Sequence, residues 1–175
     1  MKSILFLLLL PPLLATAQPG VAEKPAGGPC DAPEYRHFDF WIGDWNVSEN
    51  GQPAGTNSIR RIHGGCALQE NWQGAGAGGI GGSSFNIYDR ATANWHQTWV
   101  DANGSLLQLD GGLVDGNMVL GGSRPAQNGA TALHRITWTP NEDGSVRQLW
   151  ETSLDGGGSW SVLFDGLYVK VDAQP

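Results

Sequence analysis

The chain has 175 residues, a formal net charge of −7, 26 glycines and 8 tryptophans. Its few basic residues are scattered apart from Arg60 and Arg61, which argues against binding to nucleic acid or to an anionic membrane surface. The length suits a single domain, and abundant glycine with sparse lysine and glutamate predicts short strands joined by tight turns.

Residues 1–17 have the composition of a cleaved secretory signal peptide. Lys2 provides a positive start, an apolar run follows over residues 4–14, and Ala15 and Ala17 form a small-x-small cleavage site. The run is too short for a membrane span, and no later segment is long and apolar enough for one. We therefore expect cleavage after Ala17 and export of the protein to the periplasm or the cell exterior.

Residues 18–29 have no apolar periodicity and are rich in proline and glycine, which predicts a disordered leader. The folded domain is then expected to cover residues 30–173. In an oxidising compartment Cys30 and Cys66, the two cysteines of the chain, predict a disulfide. Neither cysteine belongs to a CxxC pair, and no histidine pair lies nearby at ligand spacing, so we predict no metal site and no cofactor.

After the leader, the segment PEYRHFDFW (residues 33–41) predicts a short helix or a single helical turn. From residue 45 onward, strand-like segments alternate with turns that carry Asn-Gly, Asp-Gly or Gly-Gly. In chain order the ten predicted strands are WNVSE, TNSIRRIHGG, CALQENWQG, SSFNIYD, WHQTWVD, SLLQLDGGLV, MVLGGS, ATALHRITWTP, SVRQLWETS and WSVLFDGLYVKV. A meander of this many strands removes its exposed edges by closing on itself. The sequence therefore predicts an all-β fold, a closed antiparallel up-and-down β-barrel of about eight to ten strands with a short N-terminal helical turn.

The turn before the last predicted strand reads SLDGGGSW (residues 153–160) and resembles the Asp-box hairpin of sialidases and other β-propellers. The resemblance implies that Ser153 and Asp155 bond to turn amides around Gly157, while Trp160 packs beneath the turn. Propellers carry several copies of this motif, but this sequence has one copy and no blade-length repeat. We therefore interpret the motif as a stable hairpin turn, and not as a sign of glycosidase chemistry.

The first predicted strand opens with Gly43 and Trp45, directly after the predicted helical turn. A Gly-x-Trp pattern at this position resembles the hallmark of the calycin superfamily, which includes lipocalins and fatty-acid-binding proteins. The resemblance implies that Trp45 lies across the closed end of the barrel, in an aromatic segment that also contains Trp41. It further implies a basic residue packed over the tryptophan, for which Lys170 is the candidate and Arg36 the alternative.

A second resemblance covers nearly all of the predicted domain. The motifs that carry it, in order, are FDFWIGDWNV, GGCALQENW, SFNIYD, WHQTWVD, RITWTP, VRQLWETS and SLDGGGSW. Together they look like a family of small secreted bacterial proteins that are lipocalin-like and have no established activity. This resemblance implies a fold and an exported location, and it implies no activity.

Side chains alternate between the two faces of a strand, so the lining of the barrel can be predicted by position. The residues predicted to share the inner face and to bind a ligand are Glu70, Trp72, Gln97, Trp99, His134, Gln148 and Trp150. Tryptophan walls with a few carboxylate, amide and imidazole groups suit a small, partly apolar molecule, and they would also suit a sugar. We predict that the protein binds a small, partly apolar molecule inside its barrel.

Two other functions stay open at this point. The barrel could be solid, with Glu70 paired to Arg135 or Arg147 in its core, and serve as a structural or protein-interaction module. It could instead be an enzyme, a hydrolase or isomerase, in which Glu70 and a neighbour such as Asp101 or Glu151 perform acid–base chemistry.

The histidines add one further alternative. His134 is the histidine predicted to face the interior, and a haem-binding barrel would use it as an axial ligand. His96 has the opposite parity to the inward residues of its strand and is predicted to point outward. His37 and His63 lie at predicted turns and are interpreted as structural.

Overall fold

The computed structural model describes residues 27–126 and 129–171. Across these residues the strands are β1 (Gly43–Glu49), β2 (Gln52–Ile62), β3 (Ala67–Gly74), β4 (Gly81–Asp89), β5 (Asn94–Asp101), β6 (Leu106–Val114), β7 (Asn117–Pro125), β8 (Thr131–Pro140), β9 (Val146–Ser153) and β10 (Ser161–Lys170). Each strand pairs antiparallel with its neighbours in the chain, and β1 also pairs with β10, which closes the sheet. The predicted closed up-and-down barrel is therefore confirmed.

Some of the expectations fall on parts of the chain that the structure does not describe. The predicted signal peptide with its cleavage site after Ala17 and residues 18–26 of the predicted leader lie outside the described residues. The same holds for residues 172 and 173 of the predicted domain. These expectations therefore stay predictions.

Two short 3₁₀ helices, Pro33–Arg36 and Asp39–Trp41, precede β1 and form the predicted N-terminal helical turn. Proline suits the first position of a helix because its missing N–H has no partner to bond with there. Isoleucine at position 42 then adopts an extended conformation, and the chain passes directly into β1. The helices are thus held close to the start of the first strand.

The second strand differs from its predicted limits, residues 56–65, at both ends. It begins earlier, at Gln52, because Asn50-Gly51 has φ values of 50° and 74° and forms a tight two-residue turn. It ends earlier, at Ile62, because His63–Gly65 forms a third 3₁₀ helix with positive φ at every residue. A strand does not accept that backbone conformation.

An aromatic cluster, here called the plug, fills the barrel at the end where β1 begins. It comprises Phe38, Trp41, Trp45, Trp95 and Trp138, all of which are buried. The Phe38 ring stacks on Trp41 with centroids 4.8 Å apart. Phe38 also meets Trp138 and Trp95 edge to face, at 5.1 Å and 5.6 Å. Because aromatic pairs of this geometry add to the free energy of burial, the 3₁₀ helices are packed firmly into this end of the barrel.

Trp45 connects the plug to the last strand. Its indole N–H donates to the carbonyl oxygen of Trp41 at 2.9 Å, and its ring centroid lies 5.3 Å from Nζ of Lys170. This distance is within the cation–π range, and Lys170 is also the cross-strand partner of Trp45. Gly43 has a φ of 149°, a region that favours glycine. In this fold the glycine of the Gly-x-Trp pattern is thus explained by its backbone conformation, and the tryptophan by its packing.

Arg36, the alternative partner for Trp45, binds elsewhere at this end. Its guanidinium donates to the carbonyl oxygens of Cys30 and Gly65. The same two chain segments are joined by the Cys30–Cys66 disulfide, whose Cα atoms are 5.0 Å apart. The predicted disulfide is therefore confirmed, and it fastens the segment before the plug to the connection between β2 and β3.

We expect removal of this disulfide to lower the free energy of unfolding by about 3–4 kcal/mol, because the bond closes a loop across 36 residues of sequence separation. The measurement is urea unfolding of the oxidised protein and of the Cys30→Ala/Cys66→Ala double variant. The reduced wild type serves as the control and should match the variant. Equal stability of the oxidised protein and the variant would contradict this account.

Candidate functional site

The half of the barrel beyond the plug contains an internal cavity of about 150 Å³. Its lining residues are Glu70, Trp72, Gln97, Trp99, Leu107, Ile136, Gln148, Trp150 and Phe164. The residues predicted to bind a ligand are all in this set except His134. Larger grooves on the outer surface, such as one of about 540 Å³ beside the β1–β2 turn, are more open to solvent. The cavity inside the barrel is therefore the candidate site.

Two tryptophan rings of the cavity lie directly over glycines of a neighbouring strand. A Cβ atom at Gly82 would be 2.2 Å from the ring of Trp99, and one at Gly55 would be 2.7 Å from the ring of Trp72. A larger residue at Gly82 would displace the ring of Trp99, and one at Gly55 would meet both the ring of Trp72 and the carbonyl oxygen of Gln73, 2.3 Å from the added Cβ. The glycines therefore let both rings lie against the wall, which leaves space between them.

Phe164 and Trp150 complete the aromatic walls. Phe164 meets Trp72 edge to face with centroids 6.1 Å apart. Trp150 donates its indole N–H to Nδ1 of His134 at 3.1 Å. His134 lies beside Arg124 at the rim of the barrel, and its pKa is lowered by burial and then by the Arg124 charge. His134 therefore orients a wall residue and does not itself line the cavity.

A chain of hydrogen bonds crosses four strands on the inner face of the barrel. The Glu70 carboxylate on β3 accepts from Nδ2 of Asn57 on β2 at 2.7 Å and from Oγ of Ser84 on β4 at 2.5 Å. Ser84 Oγ accepts from Nδ2 of Asn86 at 2.9 Å. Asn86 Oδ1 accepts from Nε2 of Gln97 on β5 at 2.8 Å. Every donor in this chain points toward Glu70, an arrangement that favours a negative charge on its carboxylate.

Burial nevertheless dominates the acidity of Glu70. It raises the pKa of the carboxyl group from the ordinary 4.5 to about 7, while the hydrogen bonds from Ser84 and Asn57 act in the opposite direction. None of the described cationic side chains contributes to this shift. A carboxyl group with this pKa changes its charge near neutral pH, and it does so here without a counter-charge.

The alternative in which Glu70 pairs with an arginine is wrong. Arg135 pairs with Glu151 at 2.9 Å, and Arg147 pairs with Asp165 at 2.7 Å. Both pairs lie on the outer face of the barrel, where the arginines are about half-exposed. The interior therefore retains a carboxyl group that is compensated by hydrogen bonds alone.

A second carboxylate does not join Glu70 either. Glu151 faces outward in its pair with Arg135. Asp101, at the end of β5, accepts the backbone N–H groups of Asn103 at 2.9 Å and Ser105 at 3.0 Å. It thereby shapes the turn between β5 and β6. Among the described residues, the carboxylate pairs considered from the sequence do not form.

Sequence reasoning missed several polar residues of the inner layer, namely Asn57, Ser84, Asn86 and Tyr168. The Tyr168 hydroxyl donates to Oε1 of Gln148, and its pKa is raised by burial and by the negative charge of Glu70. Tyr168 could have been found from the alternation of side chains in the last strand. It lies two positions from Lys170, the predicted partner of Trp45, and therefore on the same face of the strand. The three residues on β2 and β4 give a weaker signal. Phe85 and Ile87 lie next to Ser84 and Asn86 and predict the opposite orientation, and Asn57 lies between two other polar residues.

The histidines do not form a metal centre. Within residues 27–126 and 129–171, no group of three or more histidine, cysteine, aspartate or glutamate side chains is placed to hold a metal ion. His96 bonds to Asp110 and Thr98, each at 2.8 Å, on the outer face. Since His134 uses Nδ1 for Trp150 and does not line the cavity, the haem alternative gains no support.

The SLDGGGSW segment forms a hairpin turn on the rim. Ser153 Oγ accepts the N–H of Gly157 at 2.9 Å, and Asp155 accepts the hydroxyl and N–H of the serine four residues later, at 2.6 Å and 2.9 Å. These bonds, the serine hydroxyl first, hold the pKa of Asp155 well below its usual range. Trp160 packs against Arg135, whose Cζ is 4.2 Å from the ring centroid. None of the motif's side chains lines the cavity.

In comparisons with known proteins, no family model matches the chain, and no curated protein matches it significantly. Among the described residues, no helix is long and apolar enough to cross a membrane.

We expect Gly82→Ala to displace the ring of Trp99 and to lower the free energy of unfolding by about 1–3 kcal/mol through overpacking. Tryptophan fluorescence and urea unfolding measure the two effects. The matched control is Gly112→Ala on β6, where an added Cβ meets nothing within 4 Å and should leave both quantities nearly unchanged. Equal behaviour of the two variants would show that the ring does not depend on Gly82.

The raised pKa of Glu70 makes stability depend on pH. The folded state holds the proton up to about pH 7 and the unfolded state releases it near pH 4.5, so the wild type loses stability as the pH rises between these values. The Glu70→Gln variant does not lose stability in this way, because its amide does not ionise. Its free energy of unfolding relative to the wild type should therefore increase by about 3 kcal/mol from pH 4.5 to pH 8.

Urea unfolding at a series of pH values measures this difference. The contributions of the other carboxyl groups to the pH dependence cancel in the difference, because both proteins contain these groups. Glu142→Gln, which removes an exposed glutamate from the β8–β9 turn, should show no such change relative to the wild type. Parallel pH profiles for the wild type and Glu70→Gln would refute the assignment.

Proposed function

We propose that the protein is an exported binding protein that holds one small, partly apolar molecule inside its barrel. The observation that supports this proposal is the cavity inside the barrel, which four aromatic rings line together with Glu70, Gln97 and Gln148. Ligand sites commonly combine apolar walls with a few orienting polar groups, as this cavity does. A solid barrel is the weaker alternative because the cavity is not filled by side chains.

The volume limits the size of the ligand. A cavity of about 150 Å³ can hold benzene, whereas drug-sized ligands occupy about 300–1,000 Å³. The ligand should therefore be about the size of one aromatic ring with a short polar substituent. Flat aromatic walls suit a ring better than they suit a long acyl chain.

The exported location and the family relationship belong to the same proposal. Residues 1–17 read as a signal peptide, and the Cys30–Cys66 disulfide suits an oxidising compartment. Trp45 packs in the plug beneath Lys170, which is the arrangement that the Gly-x-Trp resemblance to calycins implies. These observations support a calycin-like binding protein of the periplasm or cell exterior.

An enzymatic role is the second candidate, and one observation favours it. A carboxyl group with a pKa of about 7 beside a cavity suits general acid–base catalysis. Against it, both oxygens of Glu70 already accept hydrogen bonds from protein groups, and a second catalytic carboxylate is not in contact with it. Binding is therefore the function that the geometry supports best.

We expect benzyl alcohol, a neutral single-ring probe, to quench tryptophan fluorescence saturably, and palmitate to have no effect. Ile136→Phe adds volume to a lining residue and should weaken benzyl alcohol binding by about tenfold or more. Ile87→Phe makes the same substitution on the outer face of β4 and should bind like the wild type. Failure of every single-ring probe to bind, or equal affinity in the two variants, would exclude the cavity as the site.

A further inference from the structure

Several hydrogen-bond acceptors around Glu70 have no donor in the part of the chain that the structure describes. Each carboxylate oxygen accepts one hydrogen bond and has capacity for another. Asn57 Oδ1 is buried without any partner, and Oε1 of Gln97 has no partner among the described residues. A buried acceptor without a donor costs about 1–3 kcal/mol, so this environment favours a ligand that brings N–H or O–H groups.

The charge of the site points in the same direction. No described cationic side chain contributes to the pKa shift of Glu70, and Arg135 and Arg147 pair with carboxylates on the outer face. The rings of Trp72, Trp99, Trp150 and Phe164 add negative π faces, which attract cations. The chain also carries a net charge of −7, which raises the local concentration of small cations around the protein.

We infer that the ligand of the cavity is a small organic cation, an ammonium group on a body about the size of one aromatic ring. Its N–H donors bond to Glu70 and to Oε1 of Gln97, and its apolar body lies between the aromatic rings. The N–H of Gln148, whose Oε1 accepts from Tyr168, is available to an acceptor atom on the ligand. This inference rests on the proposed binding function and specifies its chemical class.

Binding of such a cation requires an ionised Glu70, so the affinity should rise with pH. Because the free protein holds this proton up to about pH 7, the affinity should increase about tenfold between pH 6 and pH 8. The other titratable or charged groups facing the interior are Tyr168 on β10, His134 on β8, Arg124 on β7 and Asp101 on β5. Of these groups, His134 is the one whose ordinary pKa lies near the range from pH 6 to pH 8, and it is located at the rim of the barrel.

The experiment compares benzylammonium, benzyl alcohol and benzoate, which share one ring and differ in charge. Isothermal titration calorimetry of the protein without its predicted signal peptide (residues 18–175), at pH 6 and pH 8, gives the affinities. We expect benzylammonium to bind at least about tenfold more tightly than benzyl alcohol at pH 8, and to lose that advantage at pH 6. Glu70→Gln should bind both probes alike at either pH, whereas Glu142→Gln should behave like the wild type.

Two further measurements keep the inference testable if Glu70→Gln does not fold. Titrations of the wild type at pH 7 in two buffers of different ionisation enthalpy should show release of about half a proton with benzylammonium and none with benzyl alcohol. The His134→Gln variant should retain the pH dependence of benzylammonium binding. If this variant lost the pH dependence, the titrating group would be His134 and not Glu70.

The possible outcomes separate the two proposals. If benzyl alcohol binds as tightly as benzylammonium, or benzoate binds best, the cation inference is overturned while the binding function stands. If no probe binds, the binding function fails and the inference fails with it.

Discussion

Everything else in this structure depends on the filling of one end of the barrel by the aromatic plug. A barrel of about eight strands can be filled by the side chains of its own strands, and a ten-stranded barrel encloses more space than that. Phe38, directly before the second 3₁₀ helix, and Trp41, at the end of that helix, occupy this extra space at one end. Lys170 over Trp45 and the Cys30–Cys66 disulfide hold the plug segment to the wall. In the other half of the barrel, space remains between the side chains and forms the cavity.

That cavity contains a conflict between stability and chemistry. Glu70 is buried, receives hydrogen bonds from Asn57 and Ser84, and lacks a cationic partner, so its ionised form destabilises the fold. A core selected for stability alone would place an apolar residue here, as the plug does at the opposite end. Local rules are broken most often at functional sites, and this one adjoins rings that glycines hold against the wall. This conflict therefore supports the proposal that the cavity is the binding site.

The site was partly predictable, and its strands show why. On β5 and β9, tryptophan and glutamine alternate with outward residues, and simple parity places Gln97, Trp99 and Trp150 correctly on the inner wall. On β4 the hydrophobic pattern is inverted. Phe85 and Ile87 are 52% and 40% exposed, while the polar residues between and beside them are buried. Hydrophobicity alone would predict that Phe85 and Ile87 face the interior. The observed orientation is explained only by the pairing of this strand with Glu70 and Gln97.

The sequence by itself determined a closed antiparallel meander of about eight to ten strands, most of its turns and the disulfide, because these follow from local signals and from the avoidance of open edges. The tertiary structure decided which acceptors surround Glu70, that the arginines pair outside, and that His134 supports Trp150 at the rim. It also decided the volume left between the rings. These properties depend on contacts between strands that are distant in sequence. No local sequence pattern specifies the direction of a hydrogen bond or the presence of a small cavity.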